Sequence, residues 1–457
     1  MPAIGQPMET VAELARPGLS LRSNFVWILA GNVVYAICQC GAIVALARLG
    51  SSSMIGQFSL GLAIAAPVLM FTNLNLRAVQ ATDARRLHSF DDYLGLRLAM
   101  TLAGLGVIAL IVLGAGYERQ TALVILIVAL AKGIETLSDI HYGLFQLNDR
   151  LDQSGRSMII RGILSVAALS AGLYLTHSVL WGCAGMALVW LLALLFFDAR
   201  QGRRFVANAG ELDSQPSLAN PLFSWAQRLG RSWGLMRTAL PLGIATTMAA
   251  LNLNMPRYFI HARLGERQLG IYSAMAYATV PMILVSDSLG YSVVPRLARF
   301  YADARLAEYR ALLLKMLAVG ACLGFGGLAV ARLFGAQFLS LFFGSEYAAH
   351  SGTFLVLILA ASIYCVACMF TSAVTSARRF MIQAPIYVLI ASSNAAACAI
   401  WVPVAGLAGG AAAMVVASTV HLVLGATVVG YLLYAPARRP ACQQERPPCT
   451  DGWEESV

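Results

Sequence analysis

Long apolar runs alternate with short polar segments along almost the whole chain. An apolar run of about 20 residues makes a helix long enough to cross the hydrocarbon core of a bilayer. The pattern therefore predicts an all-α integral membrane protein with twelve membrane-spanning helices. These lie at residues 25–46, 54–76, 96–116, 121–144, 157–176, 178–197, 239–261, 269–292, 312–333, 351–374, 382–402 and 406–434.

One phrase occurs twice in the sequence. Residues 47–59 read ARLGSSSMIGQFS and residues 262–273 read ARLGERQLGIYS. The offset between the copies carries span one onto span seven, so six spans are repeated as six spans in the same orientation. We expect two parallel six-helix bundles with a substrate path between them. The phrases themselves are predicted to form matching outer hairpins, in which Gly56 and Gly270 permit close approach.

Composition supports the membrane class and sets the orientation. Of 457 residues, 59% are hydrophobic and only 12% are charged, whereas soluble domains have about 25% charged residues. The net charge is +10, but the basic residues cluster in short loops, which indicates membrane orientation and not nucleic-acid binding. With both termini in the cytoplasm, 25 of the 32 Lys and Arg residues lie on the inner side and six on the outer side, as the positive-inside rule requires.

The spans divide the chain into five parts. Between the two lobes, a polar stretch contains apolar residues at helical spacing and predicts a helix on the inner membrane surface. The predicted parts are a cytoplasmic N-terminal segment (1–24), the first six-helix lobe (25–197), a cytoplasmic linker (198–238), the second six-helix lobe (239–434) and a polar cytoplasmic tail (435–457).

Motifs for catalysis are absent from the sequence. It contains no phosphate-binding loop, no paired-histidine zinc motif and no nucleophile elbow in a suitable context. Seven of the nine cysteines lie in apolar runs, where a thiol packs as a small apolar group. We therefore expect no enzyme, no cofactor and no metal. Transport would draw on an ion gradient (H⁺ or Na⁺) or on the substrate gradient.

Charged residues inside the spans are the candidate site. Span four places Lys132, Glu135 and Asp139 on one helix face. Two interpretations stay open and are compatible: an intrahelical charge pair that allows the helix to insert, and a polar lining for a water-filled lumen.

Span seven carries polar residues toward its outer end. Asn252, Asn254 and Arg257 surround Pro256, which removes one backbone hydrogen bond. Arg257 is a candidate partner for an anionic substrate group, with extension of its side chain to the interface as the alternative.

Further charged residues lie inside the spans or at their ends. Asp287 is the only carboxylate in the predicted spans of the second half, and it would bind a coupling ion or pair with an arginine such as Arg257. Arg161 is interpreted as marking the inner side of span five, with phosphate attraction as the alternative. Arg48 and Arg263 are expected to extend to the outer interface.

Several phrases resemble the polysaccharide-flippase branch of the multidrug/oligosaccharidyl-lipid/polysaccharide export superfamily, the type of protein that exports O-antigen. The resemblance covers about residues 20–435. The matching phrases are NLNLRAVQATD (73–83), AKGIETLSDIHYGLFQ (131–146), SMIIRGIL (157–164), PLGIATTMAALNLNMPRYFI (241–260) and LGERQLGIYSAMAY (264–277).

The resemblance implies a V-shaped alternating-access carrier in the bacterial inner membrane. Its expected substrate is an undecaprenyl-diphosphate-linked oligosaccharide repeat unit for lipopolysaccharide or another surface polysaccharide. Arg257 and Lys132 would receive the anionic head, while the prenyl tail stays among the membrane lipids. Polysaccharide polymerase and glycosyltransferases are the implied partners.

Two alternatives remain from the sequence. The first is a multidrug/cation antiporter of the same superfamily, although spans one and seven contain no Asp or Glu, where such antiporters commonly carry a carboxylate. The second is a non-transporting membrane scaffold for polysaccharide assembly, which would have no need for charges inside the bilayer.

Overall fold

The computed structural model describes residues 19–82, 88–208, 221–377 and 380–434, and these residues are almost entirely helical. A π-helical turn at Leu194–Asp198 joins α7 to α8. The helices are α1 Leu21–Leu49, α2 Ser52–Asn73, α3 Leu76–Thr82, α4 Phe90–Ala115, α5 Arg119–Leu147, α6 Leu151–Thr176, α7 Val179–Ala193, α8 Ala199–Asn208, α9 Pro221–Tyr277, α10 Val280–Ala302, α11 Leu306–Phe342, α12 Ser345–Ala348, α13 Ser351–Ser376 and α14 Phe380–Tyr434.

Nine helices in the described part of the chain are long and apolar enough to cross a membrane, or ten when the segments on either side of a 42° bend after Tyr277 count as one span. Two helical runs are far longer than a bilayer needs. At 1.5 Å per residue, the 55 residues of α14 would extend about 80 Å. Both α9 and α14 are interrupted by a glycine with positive φ, Gly265 at 81° and Gly406 at 59°.

Large apolar side chains cover the outside of the molecule. Leu113 is 79% exposed, Leu175 76% and Val404 85%. Exposed apolar surface on this scale is the mark of contact with lipid or a partner, and here it lies along helices of membrane-spanning length. The chain is therefore a multi-span membrane protein, as its hydropathy predicts.

The polar linker differs from its prediction. Residues 221–238 are helical, but this helix continues directly into span seven and is unbroken until Gly265. It is therefore not a separate element. Most of the predicted N-terminal segment (1–18), part of the linker (209–220) and the tail from 435 lie outside the described residues.

The two copies of the repeated phrase pack against each other where α2 meets α9. A Cβ on Gly56 would lie 1.9 Å from the carbonyl oxygen of Glu266, and a Cβ on Gly270 would lie 1.7 Å from that of Ser52. Ser52 and Glu266 occupy matching positions in the two copies, and so do Gly56 and Gly270. The contact is thus reciprocal, as in a two-fold interface, and the two glycines permit close approach between the copies, whereas the sequence predicts it within each hairpin. We call this contact the glycine seam.

Polar contacts surround the glycine seam. The side-chain amide of Gln57 donates to Glu266 Oε2 at 3.0 Å, and the Thr121 hydroxyl donates to Glu266 Oε1. Arg48 donates to the carbonyls of Ser340 and Phe342 at 2.9 and 3.2 Å, at the C-terminal end of α11. A cation is favourable at that end of a helix. Arg48 thus has defined partners in the second half of the chain, beyond the interfacial role expected for it.

Glu346 joins the seam from α12. It accepts a hydrogen bond from Ser52 Oγ at 2.7 Å and from Arg267 Nη2 at 2.8 Å. These hydrogen bonds, from Ser52 and then from Arg267, hold the pKa of Glu346 below its ordinary value. Because a lowered pKa favours the ionised form, the contact is fully present above the ordinary glutamate pKa of about 4.3 and weakens as pH falls through the lowered value.

We therefore expect acid to loosen the contact between α12 and α2. The distance between spin labels placed on these two helices should increase when pH falls below about 4. In Glu346→Gln the same distance should not respond to pH in this range. A wild-type distance that stays constant through the titration would contradict the assignment.

Candidate functional site

Three side chains meet around Glu135 in the first half of the chain. Lys132 Nζ lies 2.7 Å from Glu135 Oε2, and Arg161 Nη2 lies 3.4 Å from Oε1. The Tyr35 hydroxyl also donates to Oε1, at 2.5 Å. One carboxylate thus holds two cations, and Lys132, Glu135 and Arg161 carry one excess positive charge. We call these three residues with Tyr35 the central cluster.

Two aromatic rings, from α1 and α7, lie against the cations of the central cluster. The Arg161 guanidinium carbon lies 5.1 Å from the Tyr35 ring centroid and 5.3 Å from that of Trp190, and Lys132 Nζ also lies 5.3 Å from the Trp190 ring. Cations are attracted to aromatic faces at such distances. Since Tyr35 is on α1 and Trp190 on α7, tertiary packing assembles the cluster around the pair on α5. The rings partly replace the water that both cations lose.

Asp139 belongs to a different ion-pair group. Its carboxylate lies 3.1 Å from Arg77 Nη1 and 3.4 Å from Arg97 Nη2, and Arg97 is fully buried on α4. Asp139 is two helical turns beyond Lys132, about 10 Å away along the axis. The ring of Tyr142 lies between the groups, 5.7 Å from the Arg77 guanidinium and 5.8 Å from that of Arg161.

Arg257 is buried on α9. Only 8% of it is exposed, its Nη1 donates to Asn254 Oδ1, and its Nε has no hydrogen-bond partner. Its guanidinium carbon lies 5.4 Å from the ring centroid of Tyr277. Tyr277 is also within electrostatic range of Lys132. Tyr277 therefore interacts with one cation from each half of the sequence, Lys132 and Arg257.

Arg257 forms no ion pair with a described residue. Its burial argues against the alternative that it extends to the interface. Asp287, considered from sequence as a partner for it, instead accepts a hydrogen bond from Tyr364 at 3.1 Å. Asn252 also has another contact, because its side-chain oxygen accepts from Asn394 at 2.8 Å. Of the candidates on span seven, Asn254 and Arg257 are in direct contact, while Asn252 is occupied elsewhere.

Sequence reasoning missed several residues of this region. Arg161, interpreted as an orientation marker, is only 2% exposed and binds Glu135, which does not fit a residue that merely marks the inner side. Tyr35, Trp190 and Tyr277 give no sequence signal, because aromatic residues are common in any span. Arg97 did offer one, as a cation at the start of an apolar run.

Solved structures with the same fold are available. The chain superposes on an inward-facing MATE-family multidrug-resistance transporter with a TM-score of 0.66 and 12% identity, over 90% of this chain and all of the other. The lipid II flippase MurJ, in an inward closed conformation, gives 0.63 and 12% identity, over 89% of this chain and 87% of MurJ. The chain has the fold of the multidrug/oligosaccharidyl-lipid/polysaccharide export transporters.

The sequence comparison adds a relative from polysaccharide synthesis. The capsular polysaccharide biosynthesis protein CapF of Staphylococcus aureus is 27% identical over 335 residues, 73% of this chain and 80% of CapF. No family model matches the chain. The resemblance noted from the sequence phrases is confirmed: the chain resembles the polysaccharide branch of this superfamily. Its similar structures are transporters and flippases, and not enzymes.

Proposed function

We propose that the protein flips an undecaprenyl-diphosphate-linked oligosaccharide repeat unit across the bacterial inner membrane for surface polysaccharide synthesis, O-antigen and lipopolysaccharide included. One observation carries the proposal: the Tyr277 ring lies 5.4 Å from the Arg257 guanidinium carbon and also interacts electrostatically with Lys132, from the other half of the chain. Arg257 and the excess charge of the central cluster supply two positive charges there. A diphosphate is a matching ligand, because guanidinium and ammonium groups bind phosphate oxygens with charge-assisted hydrogen bonds.

The fold supports the proposed architecture. Reversals at Gly265 and Gly406 divide α9 and α14 into shorter helices, which favours twelve spans in two six-helix lobes with both termini in the cytoplasm. The glycine seam would then close the outer end, and the V-shaped lumen would open inward. The similarity to inward-facing and inward closed structures agrees with that state. The proposal also includes a gradient that drives transport. Its proposed partners are a polysaccharide polymerase and glycosyltransferases.

Deletion of the gene tests the proposal in cells. Lipid-linked sugar should accumulate on the inner leaflet, and surface polysaccharide should be lost, because the repeat unit no longer reaches the outer side. Normal surface polysaccharide in a strain without a paralogous flippase would contradict the proposal. Increased sensitivity to cationic drugs with unchanged polysaccharide would favour a multidrug/cation antiporter.

Arg257→Ala should reduce export by about tenfold or more while the protein remains abundant. A charged hydrogen bond contributes about 1.5–3 kcal/mol, and about 1.4 kcal/mol is a factor of ten. Arg263→Ala is the matched control, since it removes an arginine six residues further along α9. Export and protein level should be measured together in the deletion strain. Full export by Arg257→Ala would remove this residue from the site.

A further inference from the structure

Asp198 is a buried acid outside the site described above. It ends the π-helical turn between α7 and α8, it is 0% exposed, and neither carboxylate oxygen has a hydrogen-bond partner in the described structure. An ionised carboxylate without a partner is costly to bury. π-helical turns occur frequently at functional sites. The position therefore calls for a ligand that neutralises or solvates the carboxylate.

Hydroxyl groups from two neighbouring helices lie beside Asp198. Ser138 is on α5 and Ser157 is on α6, and both are within interaction range of the carboxyl group. The Ser138 hydroxyl is buried without a partner. The Ser157 hydroxyl shares a hydrogen bond of 2.8 Å with the Tyr142 hydroxyl. A hydroxyl can donate a hydrogen bond to a carboxylate or accept one from a protonated acid. The two serine hydroxyls therefore suit both the ionised and the protonated form of Asp198.

Arg161 of the central cluster is the cation that acts on Asp198. It interacts electrostatically with Asp198 but forms its ion pair with Glu135, while its Nε and Nη1 are buried without partners. From α5, Tyr142 also interacts with Asp198. His141 on the same helix points its Nδ1 to the carbonyl of Leu137 at 2.9 Å. The three arginines of α8, which follow Asp198 in the chain, face outward: Arg200, Arg203 and Arg204.

We propose that Asp198 is a proton-binding site that sets the net charge next to the central cluster. A proton from water forms an O–H bond with one carboxylate oxygen, and the acid becomes neutral. Lys132, Glu135 and Arg161 then keep their excess positive charge. When the proton leaves, the Asp198 carboxylate balances that charge.

Protonation of Asp198 should change how tightly the protein holds an anionic substrate. The protonated form should bind an anion more tightly, and the deprotonated form should release it, because the local charge changes by one unit. This consequence rests on the proposed function, whereas the binding of the proton does not. The two steps therefore need separate measurements.

Infrared difference spectroscopy on the purified full chain in nanodiscs tests proton binding. The carbonyl band of a protonated carboxylic acid should grow as pH is lowered from mildly alkaline to mildly acidic, and Asp198→Asn should lose it. Asp152→Asn is the matched control: Asp152 is also buried but pairs with Arg150 at 2.9 Å, so the band should persist. Ser138→Ala should shift the band without removing it. A spectrum unchanged by both Asp198→Asn and Ser138→Ala would overturn the proposal.

Binding of undecaprenyl diphosphate to the same nanodiscs tests the consequence. The wild type should bind it about tenfold more tightly at mildly acidic than at mildly alkaline pH. Asp198→Asn should bind tightly at both, since the amide imitates the neutral acid. The same pH dependence in wild type and variant would overturn the coupling. If neither the wild type nor the variant binds undecaprenyl diphosphate, the proposed function is contradicted. The infrared result would still show whether Asp198 binds a proton.

Discussion

Glu135→Gln should destabilise the protein by about 1–3 kcal/mol, because it removes the carboxylate shared by the buried Arg161 and the half-buried Lys132. Glu135 is the carboxylate that Lys132 and Arg161 share. With a neutral amide in its place, the buried Arg161 and the half-buried Lys132 would lie close together with no negative charge between them. We expect a lower melting temperature in detergent and reduced abundance in the membrane.

Two controls separate this effect from a general loss of charge. Glu308→Gln breaks an ion pair with Arg305 that is exposed to solvent on α11, and such surface pairs contribute little to stability. Its melting temperature should barely change. The double variant Glu135→Gln with Lys132→Gln removes one charge of each sign and should recover much of the lost stability. Equal melting temperatures for Glu135→Gln and wild type would show that the central cluster is not held by this carboxylate.

Gly270→Ala should have the second large effect, on the conformational equilibrium. The added Cβ would lie 1.7 Å from the Ser52 carbonyl oxygen, so α2 and α9 must separate. Overpacking of this kind costs about 1–3 kcal/mol, which shifts the ratio of closed to open seam by about fivefold to a hundredfold. Gly56→Ala should act in the same way, because the contact is reciprocal.

Thiol labelling can measure the opening of the seam. A cysteine in place of Ser59, which is fully buried on α2, should be protected from a membrane-impermeant reagent in an otherwise cysteine-free background. Gly270→Ala should increase its labelling rate, while Gly326→Ala, whose Cβ would meet nothing within 4 Å, should not. Protection that survives in both seam variants would show that the glycines do not close this end.

Most of the helices were predictable because each one is determined by a continuous apolar run in the sequence. Apolar runs of bilayer length determine the helices, whereas the contact between the two copies of the repeated phrase is not visible in the sequence. The continuous α9 was not predictable in the same way. Polar residues in 198–238 favour a separate surface helix, yet the described helix that begins at Pro221 continues to Gly265.

The candidate site was predictable only where its contacts are local. The spacing of Lys132 and Glu135 indicates their pair, and the closeness of Asn254 and Arg257 on one helix indicates theirs. Arg161 and Tyr277 enter through tertiary packing, which sequence spacing does not encode. The same reason explains Asp287, whose partner Tyr364 is 77 residues away along the chain.

Transfer of a lipid-linked oligosaccharide in reconstituted vesicles tests the central claim most directly. Purified wild-type protein should move undecaprenyl-diphosphate-linked repeat units from one leaflet to the other, as measured by their accessibility to an enzyme added outside. Arg257→Ala should slow this transfer by about tenfold or more, with Arg263→Ala close to wild type. Transfer by Arg257→Ala at the wild-type rate, or no transfer by the wild type above protein-free vesicles, would contradict the account.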